Sequence, residues 1–293
     1  YDPVAMAREA DVDLVLELIG GEDGPAKAVC EAAIAAGRHV VTANKALLAM
    51  HGNALATAAE AAGVSLNYEA AIAGGIPIVK ALREGLAGNR VTRVYGILNG
   101  TCNYILTEMR EERLSYETVL ADAQKLGYAE AEPSVDVDGI DAAHKLALLA
   151  SLAFGTKVNF EGVYTEGIRK VALEDIDYAE EFGYRIKLLG SARMTDHGLE
   201  QRVHPCMVRK DKPIAHVEGA YNAVVAHGDF VDDTMYEGRG AGGGPTASAV
   251  VADIVDVARG FAVSTFGVPV EQLTDAEAAP IERHIGAYYI RLM

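Results

Sequence analysis

The sequence has few of the residues that form disulfides or metal sites. Its 293 residues include three cysteines with no C-x-x-C spacing and eight histidines with no H-x-x-x-H pair. No basic and then apolar leader opens the chain. We therefore expect a protein of the reducing cytoplasm that contains neither disulfides nor structural zinc.

Positive charge and long apolar runs are also scarce. Lysine and arginine number 26 against 42 aspartates and glutamates, which gives a net charge of −16 with neutral histidines. A nucleic acid or an anionic membrane surface requires a positive field on its partner. The apolar run at 146–154 is far shorter than the roughly 20 residues of a membrane span. These observations argue against both partners and predict a soluble chain.

The residues up to position 71 alternate short apolar runs with helical patterns, as parallel β-α-β units do. The pattern predicts strands at 12–19, 39–42 and 64–71, and helices at 25–36 and 45–62. No strand with a glycine loop precedes the first unit, so we interpret this part as half of a doubly wound sheet. A complete small α/β domain that begins at Tyr1 is the alternative interpretation.

After Gly74-Gly75 the pattern changes. It predicts helices at 78–86, 103–125, 140–154 and 246–259, a strand at 91–98, mixed elements over 158–227 and a final strand at 287–293. The predicted fold class is therefore α/β, with a partial Rossmann-like parallel sheet and an α+β part that contains a mixed sheet.

The segment 126–145 gathers acidic residues around a single lysine. If a helix begins at Ile140, Asp141 and Lys145 lie one turn apart on the same face. The simplest interpretation is a helix-capping ion pair of small energy. The alternative is a site that binds a cationic amine and presents an ammonium group to a developing alkoxide. Calcium fits poorly, because the EF-hand register is absent. The acids of the segment are Glu130, Glu132, Asp136, Asp138 and Asp141.

Four ordered motifs resemble those of the homoserine dehydrogenase family. The longest, A-x-x-x-G-Y-A-E-x-x-P-x-x-D-x-x-G-x-D-x-x-x-K, spans 123–145. The others are VTANK at 41–45, YEAAIAGGIP at 68–77 and GILNGTCNYIL at 96–106, and the similarity extends from about 12 to 259. The resemblance implies interconversion of aspartate 4-semialdehyde and homoserine with NAD or NADP, in the biosynthesis of threonine, methionine and isoleucine.

The resemblance also implies roles for individual residues. Lys145 would protonate the aldehyde oxygen or deprotonate the alcohol, Asp141 would hold the substrate hydroxyl, and Lys45 would lie beside the nicotinamide. An ordinary lysine pKa is near 10.4, so Lys145 would donate as ammonium or have a lowered pKa. The full substrate-binding set is Gly127, Tyr128, Glu130, Asp136 and Asp141, with Glu130 on the substrate ammonium.

For the cofactor we expect contacts from two strand ends and from a glycine loop before the last helix. This set is Gly20, Gly21, Thr42, Asn44, Lys45, Gly240 and Thr246. Gly238, Gly240 and Gly243 satisfy G-x-G-x-x-G, but no buried strand precedes them, so we do not interpret them as a dinucleotide fingerprint. The resemblance further implies a sodium ion held by the carbonyl oxygens of Glu69, Ile72, Gly74 and Ile76.

The predicted organisation is a partial nucleotide-binding domain at 1–72, completed by a return helix at 244–265, and a substrate and dimerisation domain at 73–243. Residues 283–293 resemble the start of a regulatory ACT domain. The family implies a homodimer or homotetramer, with strands from 203–236. Two alternatives remain open: another NAD(P)-dependent semialdehyde or amino-acid dehydrogenase, or a noncatalytic binding or dimerisation fragment.

Overall fold

The computed structural model describes residues 2–291. Its first part contains α1 (Pro3–Glu9), β1 (Leu14–Glu17), α2 (Pro25–Ala35), β2 (His39–Thr42), α3 (Lys45–Ala62), β3 (Leu66–Asn67), α4 (Ala70–Ala73) and α5 (Ile78–Lys80). A π-helical turn, Ala81–Gly85, continues α5. Between residues 2 and 291 no helix combines the length and apolarity that a membrane crossing needs.

The second part is longer and carries most of the strands. It contains β4 (Val91–Ile97), α6 (Gly100–Glu112), α7 (Tyr116–Leu126), α8 (Ser134–Val137), α9 (Ile140–Phe154), β5 (Val163–Thr165), α10 (Leu173–Glu181), β6 (Tyr184–Thr195), β7 (Gly198–Arg209), β8 (Tyr221–Gly228), β9 (Asp232–Arg239) and α11 (Gly243–Ala258). Short 3-10 turns lie at Pro213–His216, Val270–Gln272 and Ile281–Arg283.

The first part forms a three-stranded parallel sheet in the order β1-β2-β3. Leu14 pairs with His39, and Val40 pairs with Leu66. Helix α3 begins where the Asn44 side chain accepts the Leu47 N–H at 3.1 Å, and it ends at Gly63 in the left-handed region. The polar start of α3 therefore follows directly after the carboxyl end of β2.

Two predicted strands of this sheet are shorter than expected. Strand β1 ends at Glu17 because the Glu17 carboxylate accepts the Ile19 and Gly20 N–H groups, so the backbone turns away from the ladder. Leu18 is 57% exposed, against the expectation of a buried strand through position 19. The predicted strand 64–71 is reduced to Leu66–Asn67, and α4 follows it.

The second sheet has six strands in the order β5-β7-β6-β4-β8-β9. Strand β5 is parallel to β7, and the other pairs are antiparallel. Helix α9 packs on β4, β6 and β7, and nearly all of its side chains are buried. The parallel sheet together with this mixed sheet confirms the predicted fold class, whereas the domain boundaries stay a prediction.

The predicted helix 103–125 is wrong, because two helices occupy this stretch. Arg113 ends α6 in the left-handed region at φ 59°, and the Ser115 hydroxyl caps α7 by accepting the Thr118 N–H at 3.4 Å. A serine cap two residues after such a turn starts a new helix.

The predicted strand at 287–293 is also wrong for 287–291, which contains no strand. Positions 292 and 293 lie outside the described residues.

The chain returns to the parallel sheet through α11, which packs against β2 and α4. Before α11, the backbone of Gly240 passes directly over the Gly74-Gly75 turn. The Gly75 N–H donates to the Arg239 carbonyl at 2.9 Å, and a Cβ on Gly74 would lie 2.5 Å from the Gly240 oxygen. Glycine is required at position 74 because no side chain fits this crossing.

Candidate active site

The three predicted catalytic side chains lie in one cluster. Lys145 Nζ donates to Asp141 Oδ2 at 2.7 Å and to the Leu98 carbonyl at 2.7 Å. Lys45 Nζ lies 3.1 Å from the other carboxylate oxygen of Asp141. Asp141 and Lys145 come from the first turns of α9, and Lys45 is the first residue of α3. One carboxylate therefore holds two ammonium groups from two different elements.

Burial and charge act in opposite directions on Asp141. Burial alone would raise its pKa, but the charges of Lys145 and Lys45 outweigh this effect and hold the pKa well below its usual range. Asp141 therefore stays ionised at any physiological pH. Desolvation raises the pKa of the nearby Asp136, and the hydrogen bond from Asn99 partly offsets the increase.

The two lysines differ in how deeply they are buried and in the hydrogen bonds that they make. Lys145 has a side chain only 10% exposed, and two of its three N–H donors already have acceptors. One donor of Lys145 remains for a substrate oxygen. The Lys45 side chain is 34% exposed. The buried lysine is thus the better oriented of the two, and the outer one has more freedom.

Asn99 belongs to the site, although it is not among the predicted site residues. Its Nδ2 donates to Asp136 Oδ1 at 2.8 Å and to Asp141 Oδ2 at 2.9 Å. Its Oδ1 accepts the Cys102 N–H at 2.8 Å and so caps α6. Asn99 lies in the GILNGTCNYIL motif, four residues before the predicted helix start at 103, so the sequence pattern predicts no cap there. The bridge between two aspartates depends on tertiary contacts and leaves no local signal.

The remaining predicted substrate residues lie on the segment that follows α7. Gly127 ends α7 in the left-handed region, and the ring of Tyr128 stacks on Tyr104 with centroids 4.5 Å apart. Glu130 is exposed, and its carboxylate forms no hydrogen bond or ion pair with any residue in 2–291. The structure therefore brings Asp136 to the lysine cluster and leaves the Glu130 side chain unengaged.

The predicted cofactor residues of the parallel sheet meet at its carboxyl edge. Thr42 Oγ1 donates to Glu17 Oε2 at 2.6 Å and accepts the Asn44 N–H at 3.0 Å. Asn44 Nδ2 donates to the Gly21 carbonyl at 2.7 Å. Gly20 and Gly21 have φ of 86° and 87°, and no atom lies within 4 Å of a Cβ built on Gly20. Doubly wound sheets bind their ligands at this edge, and the space beside Gly20 is open.

The glycine loop before α11 divides into a packed part and an open part. A Cβ on Gly240 would lie 2.2 Å from Asn222 Cγ, so Gly240 is packed against that side chain. A Cβ on Gly243 or on Gly244 would have no atom within 4 Å, and Thr246 lies half-buried in the first turn of α11. The G-x-G-x-x-G run begins inside antiparallel β9, which is not the setting of a dinucleotide fingerprint.

The turn with the predicted sodium ligands is tied to α11 by buried acids. Glu69 accepts the Val79 and Lys80 N–H groups at 2.9 and 3.0 Å, and its own N–H donates to Asp253 at 2.8 Å. Burial raises the pKa of Glu69 to about 7 and that of Asp253 to about 6. No hydrogen bond from another element reaches the carbonyl oxygens of Glu69, Ile72 or Gly74 within residues 2–291, whereas that of Ile76 accepts the Ile78 N–H.

Comparison with known proteins identifies the same family in both parts of the chain. The family model described as "Homoserine dehydrogenase, NAD binding domain" matches residues 2–69, and the model described as "Homoserine dehydrogenase" matches residues 77–255. The homoserine dehydrogenase of Pseudomonas aeruginosa is 51% identical over 98% of this chain and 67% of its own length. That of Neisseria gonorrhoeae is 49% identical over 99% of this chain and 68% of its own length.

Solved structures agree with the sequence relatives. The crystal structure of a homoserine dehydrogenase from Thiobacillus denitrificans has a TM-score of 0.90 and 52% identity, and it matches 94% of this chain and 65% of its own. A hyperthermophilic archaeal homoserine dehydrogenase in complex with NADPH has a TM-score of 0.79 at 27% identity. The chain spans about two thirds of the length of the Pseudomonas aeruginosa, Neisseria gonorrhoeae and Thiobacillus denitrificans proteins. Because both family models match and relatives are about 50% identical in sequence, the chain belongs to the homoserine dehydrogenase family.

Proposed function

We propose that the protein interconverts L-homoserine and L-aspartate 4-semialdehyde with NAD or NADP. The observation that carries this proposal is the pair of ammonium groups, from Lys45 and Lys145, on the single buried carboxylate of Asp141. Reduction of an aldehyde creates negative charge on its oxygen, and a fixed ammonium group stabilises that charge and supplies the proton. The family membership and the NADPH complex of a relative support the same reaction.

In this mechanism Lys145 holds and moves the proton at the substrate oxygen. Its hydrogen bonds to Asp141 and the Leu98 carbonyl fix the position of the Nζ atom and orient the third N–H. The nicotinamide cofactor, when bound at the open edge of Gly20 and Gly21, supplies or accepts the hydride. Lys45, at the start of α3, orients the substrate from the other side of Asp141.

The substrate-binding segment completes the site in this proposal. Glu130 has no partner in the described chain, so its carboxylate is available for the substrate ammonium. A charge-assisted hydrogen bond of this kind becomes strong when the substrate excludes water. Gly127 and Tyr128 place the segment, since Tyr128 is stacked on Tyr104 and its carbonyl accepts the Thr101 hydroxyl at 2.8 Å.

A sodium ion at the Glu69 to Ile76 turn is a further part of the proposal. Within residues 2–291 no cluster of three or more His, Cys, Asp or Glu side chains forms a metal site, so the ion would depend on backbone oxygens. The carbonyl oxygens of Glu69, Ile72 and Gly74 are free of bonds from other elements, which fits that donor set. Such an ion would stiffen the turn over which Gly240 crosses.

We also assign a homodimer to the outer face of the mixed sheet. A second apolar cluster lies there, separate from the main core, and its rim of Tyr95, Val208 and Met235 is only partly buried. A second copy would cover this rim, and light scattering of the purified protein measures the resulting mass. The three free thiols agree with a cytoplasmic location.

The experiment that tests the reaction is homoserine-dependent reduction of NAD and of NADP by the full-length protein. We expect Lys145→Ala to reduce kcat by about 1,000-fold or more, with cofactor affinity nearly unchanged, because the lysine acts on the substrate oxygen. Lys125→Ala is the matched control, since the Lys125 side chain is 75% exposed and pairs with Asp122. If Lys145→Ala turns over at the wild-type rate, the role assigned to Lys145 is wrong. If the wild-type protein shows no activity with homoserine, the proposed substrate is wrong.

A further inference from the structure

The Glu17 side chain is completely buried, yet the proposed reaction does not use it. Its Oε1 accepts the Ile19 N–H at 2.7 Å and the Gly20 N–H at 3.2 Å, and its Oε2 accepts the Thr42 hydroxyl at 2.6 Å. An ionised or polar side chain at this depth is costly unless its oxygens are satisfied. Each carboxylate oxygen therefore holds a different part of the sheet edge.

We propose that Glu17 is a positioning residue that couples the cofactor-binding turn at Gly20 and Gly21 to the start of α3, where Lys45 stands. This inference rests on the proposed function and deepens it. The first connection is direct, through the Ile19 and Gly20 N–H groups. The second connection passes through Thr42, whose hydroxyl accepts the Asn44 N–H at 3.0 Å.

Asn44 closes the network into a ring. Its Oδ1 accepts the Leu47 N–H at 3.1 Å and so sets the first turn of α3, while its Nδ2 donates to the Gly21 carbonyl at 2.7 Å. The turn, Glu17, Thr42 and Asn44 are thus linked by hydrogen bonds at every step. A shift at Glu17 moves both the turn and Lys45, which is bonded to Asp141 at 3.1 Å.

The network also determines which part of a nucleotide the turn can contact. Phosphate cradles use free backbone N–H groups. Here the N–H groups of Ile19 and Gly20 donate to Glu17, and the Gly21 carbonyl accepts the Asn44 side chain. These N–H groups are therefore not available to hold a phosphate.

The test is kinetic analysis and NADPH fluorescence titration of the full-length protein with substitutions at Glu17 and Thr42. Glu17→Met removes both acceptor oxygens at similar volume, and we expect NADPH Kd to rise about tenfold and kcat to fall about tenfold. Glu17→Gln retains an acceptor for the turn and a donor for the Thr42 oxygen, so it should restore both values to within about threefold of wild type. Thr42→Val removes the second connection and should lower kcat by a larger factor than it raises NADPH Kd.

The matched control is Glu200→Met, the same substitution at another buried glutamate, on β7, which pairs with Arg193. It should reduce thermal stability without changing Kd or kcat. Wild-type values for Glu17→Met, equal changes in Glu200→Met, or an unchanged kcat in Thr42→Val would each overturn the inference. If Glu17→Met does not fold, Thr42→Val and Glu17→Gln still decide it.

The same titration separates the two proposals. A wild-type protein that binds NADPH but does not oxidise homoserine contradicts the proposed reaction, and the Kd of Glu17→Met then still tests the link to the turn. A wild-type protein that binds no nicotinamide nucleotide contradicts both.

Discussion

At the scale of single residues, the site depends on side chains that serve two elements at once. Asn99 is the clearest case, because one amide caps α6 and bridges Asp136 and Asp141. Without its donors, two carboxylates would face each other with no hydrogen between them. The charge balance of two aspartates against Lys45 and Lys145 then depends on this amide.

We predict that Asn99→Asp impairs catalysis although it keeps the helix cap. Aspartate is as good a helix cap as asparagine, so α6 keeps its start, but the new carboxylate cannot donate to Asp136 or Asp141. We expect kcat/KM for homoserine to fall about 10- to 100-fold, measured by steady-state kinetics beside a thermal melt. Asn99→Ala, which loses the cap and the donors but adds no charge, is the comparison variant. Unchanged kinetics in Asn99→Asp would contradict the bridging role.

At the scale of elements, the site is assembled where helices, strands and turns from different parts of the chain contact each other, not on any one helix or strand. Helix α11 reaches the turn before α5 through the bond from the Glu69 N–H to Asp253, and the backbone of Gly240 lies against Gly74. The ion pair of Lys80 and Asp256 adds a second link between the same elements. The turn with the proposed sodium ligands is therefore held from α11 and from the end of β9.

We predict that Gly74→Ala is strongly destabilising. Its φ is 52°, and the new Cβ would lie 2.5 Å from the Gly240 oxygen, which is a backbone atom that cannot rotate away. Strain and clash together should lower the free energy of unfolding by about 2 to 4 kcal/mol, measured by urea denaturation. Gly85→Ala is the control, since no atom lies within 4 Å of its Cβ position and its φ is not positive. Equal stability of the two variants would show that the crossing tolerates a side chain.

At the scale of the whole molecule, the segment after α11 binds the two sheets together. Phe266 is fully buried against Tyr68, with ring centroids 5.8 Å apart, next to α3. Farther along, the Leu199 N–H on β7 donates to the Glu277 carbonyl at 2.8 Å, and Tyr289 donates to Asp175 at 3.0 Å. The segment thus runs from the parallel sheet to the far side of the mixed sheet.

We predict that Phe266→Ala destabilises the molecule by about 3 to 5 kcal/mol, because it leaves a cavity between α3 and Tyr68. Phe230→Ala provides a matched control, since Phe230 is 84% exposed and its removal should change stability by less than about 0.5 kcal/mol. Denaturant titration of both variants measures the difference. A similar loss in the two variants would mean that Phe266 does not anchor the returning segment.

Much of the first sheet was predictable from local patterns. The helices from Pro25 and Lys45 and the strand His39–Thr42 are confirmed, because apolar periodicity and capping residues act within a few positions. The errors occur where a side chain interrupts a regular pattern. Glu17 bends the chain after β1, and the Ser115 cap divides a continuous helical pattern into α6 and α7.

The sequence by itself determined the family, the fold class and the pairing of Asp141 with Lys145, since motif order and the helical spacing of four residues are local properties. Only the tertiary structure decided that Lys45 joins the same carboxylate, that Asn99 bridges two aspartates, and that Glu17 connects the glycine turn to α3. The physical reason is that each of these arrangements includes a contact between residues 25 or more positions apart. Their geometry is set by how the sheets and helices pack, and no local pattern encodes it.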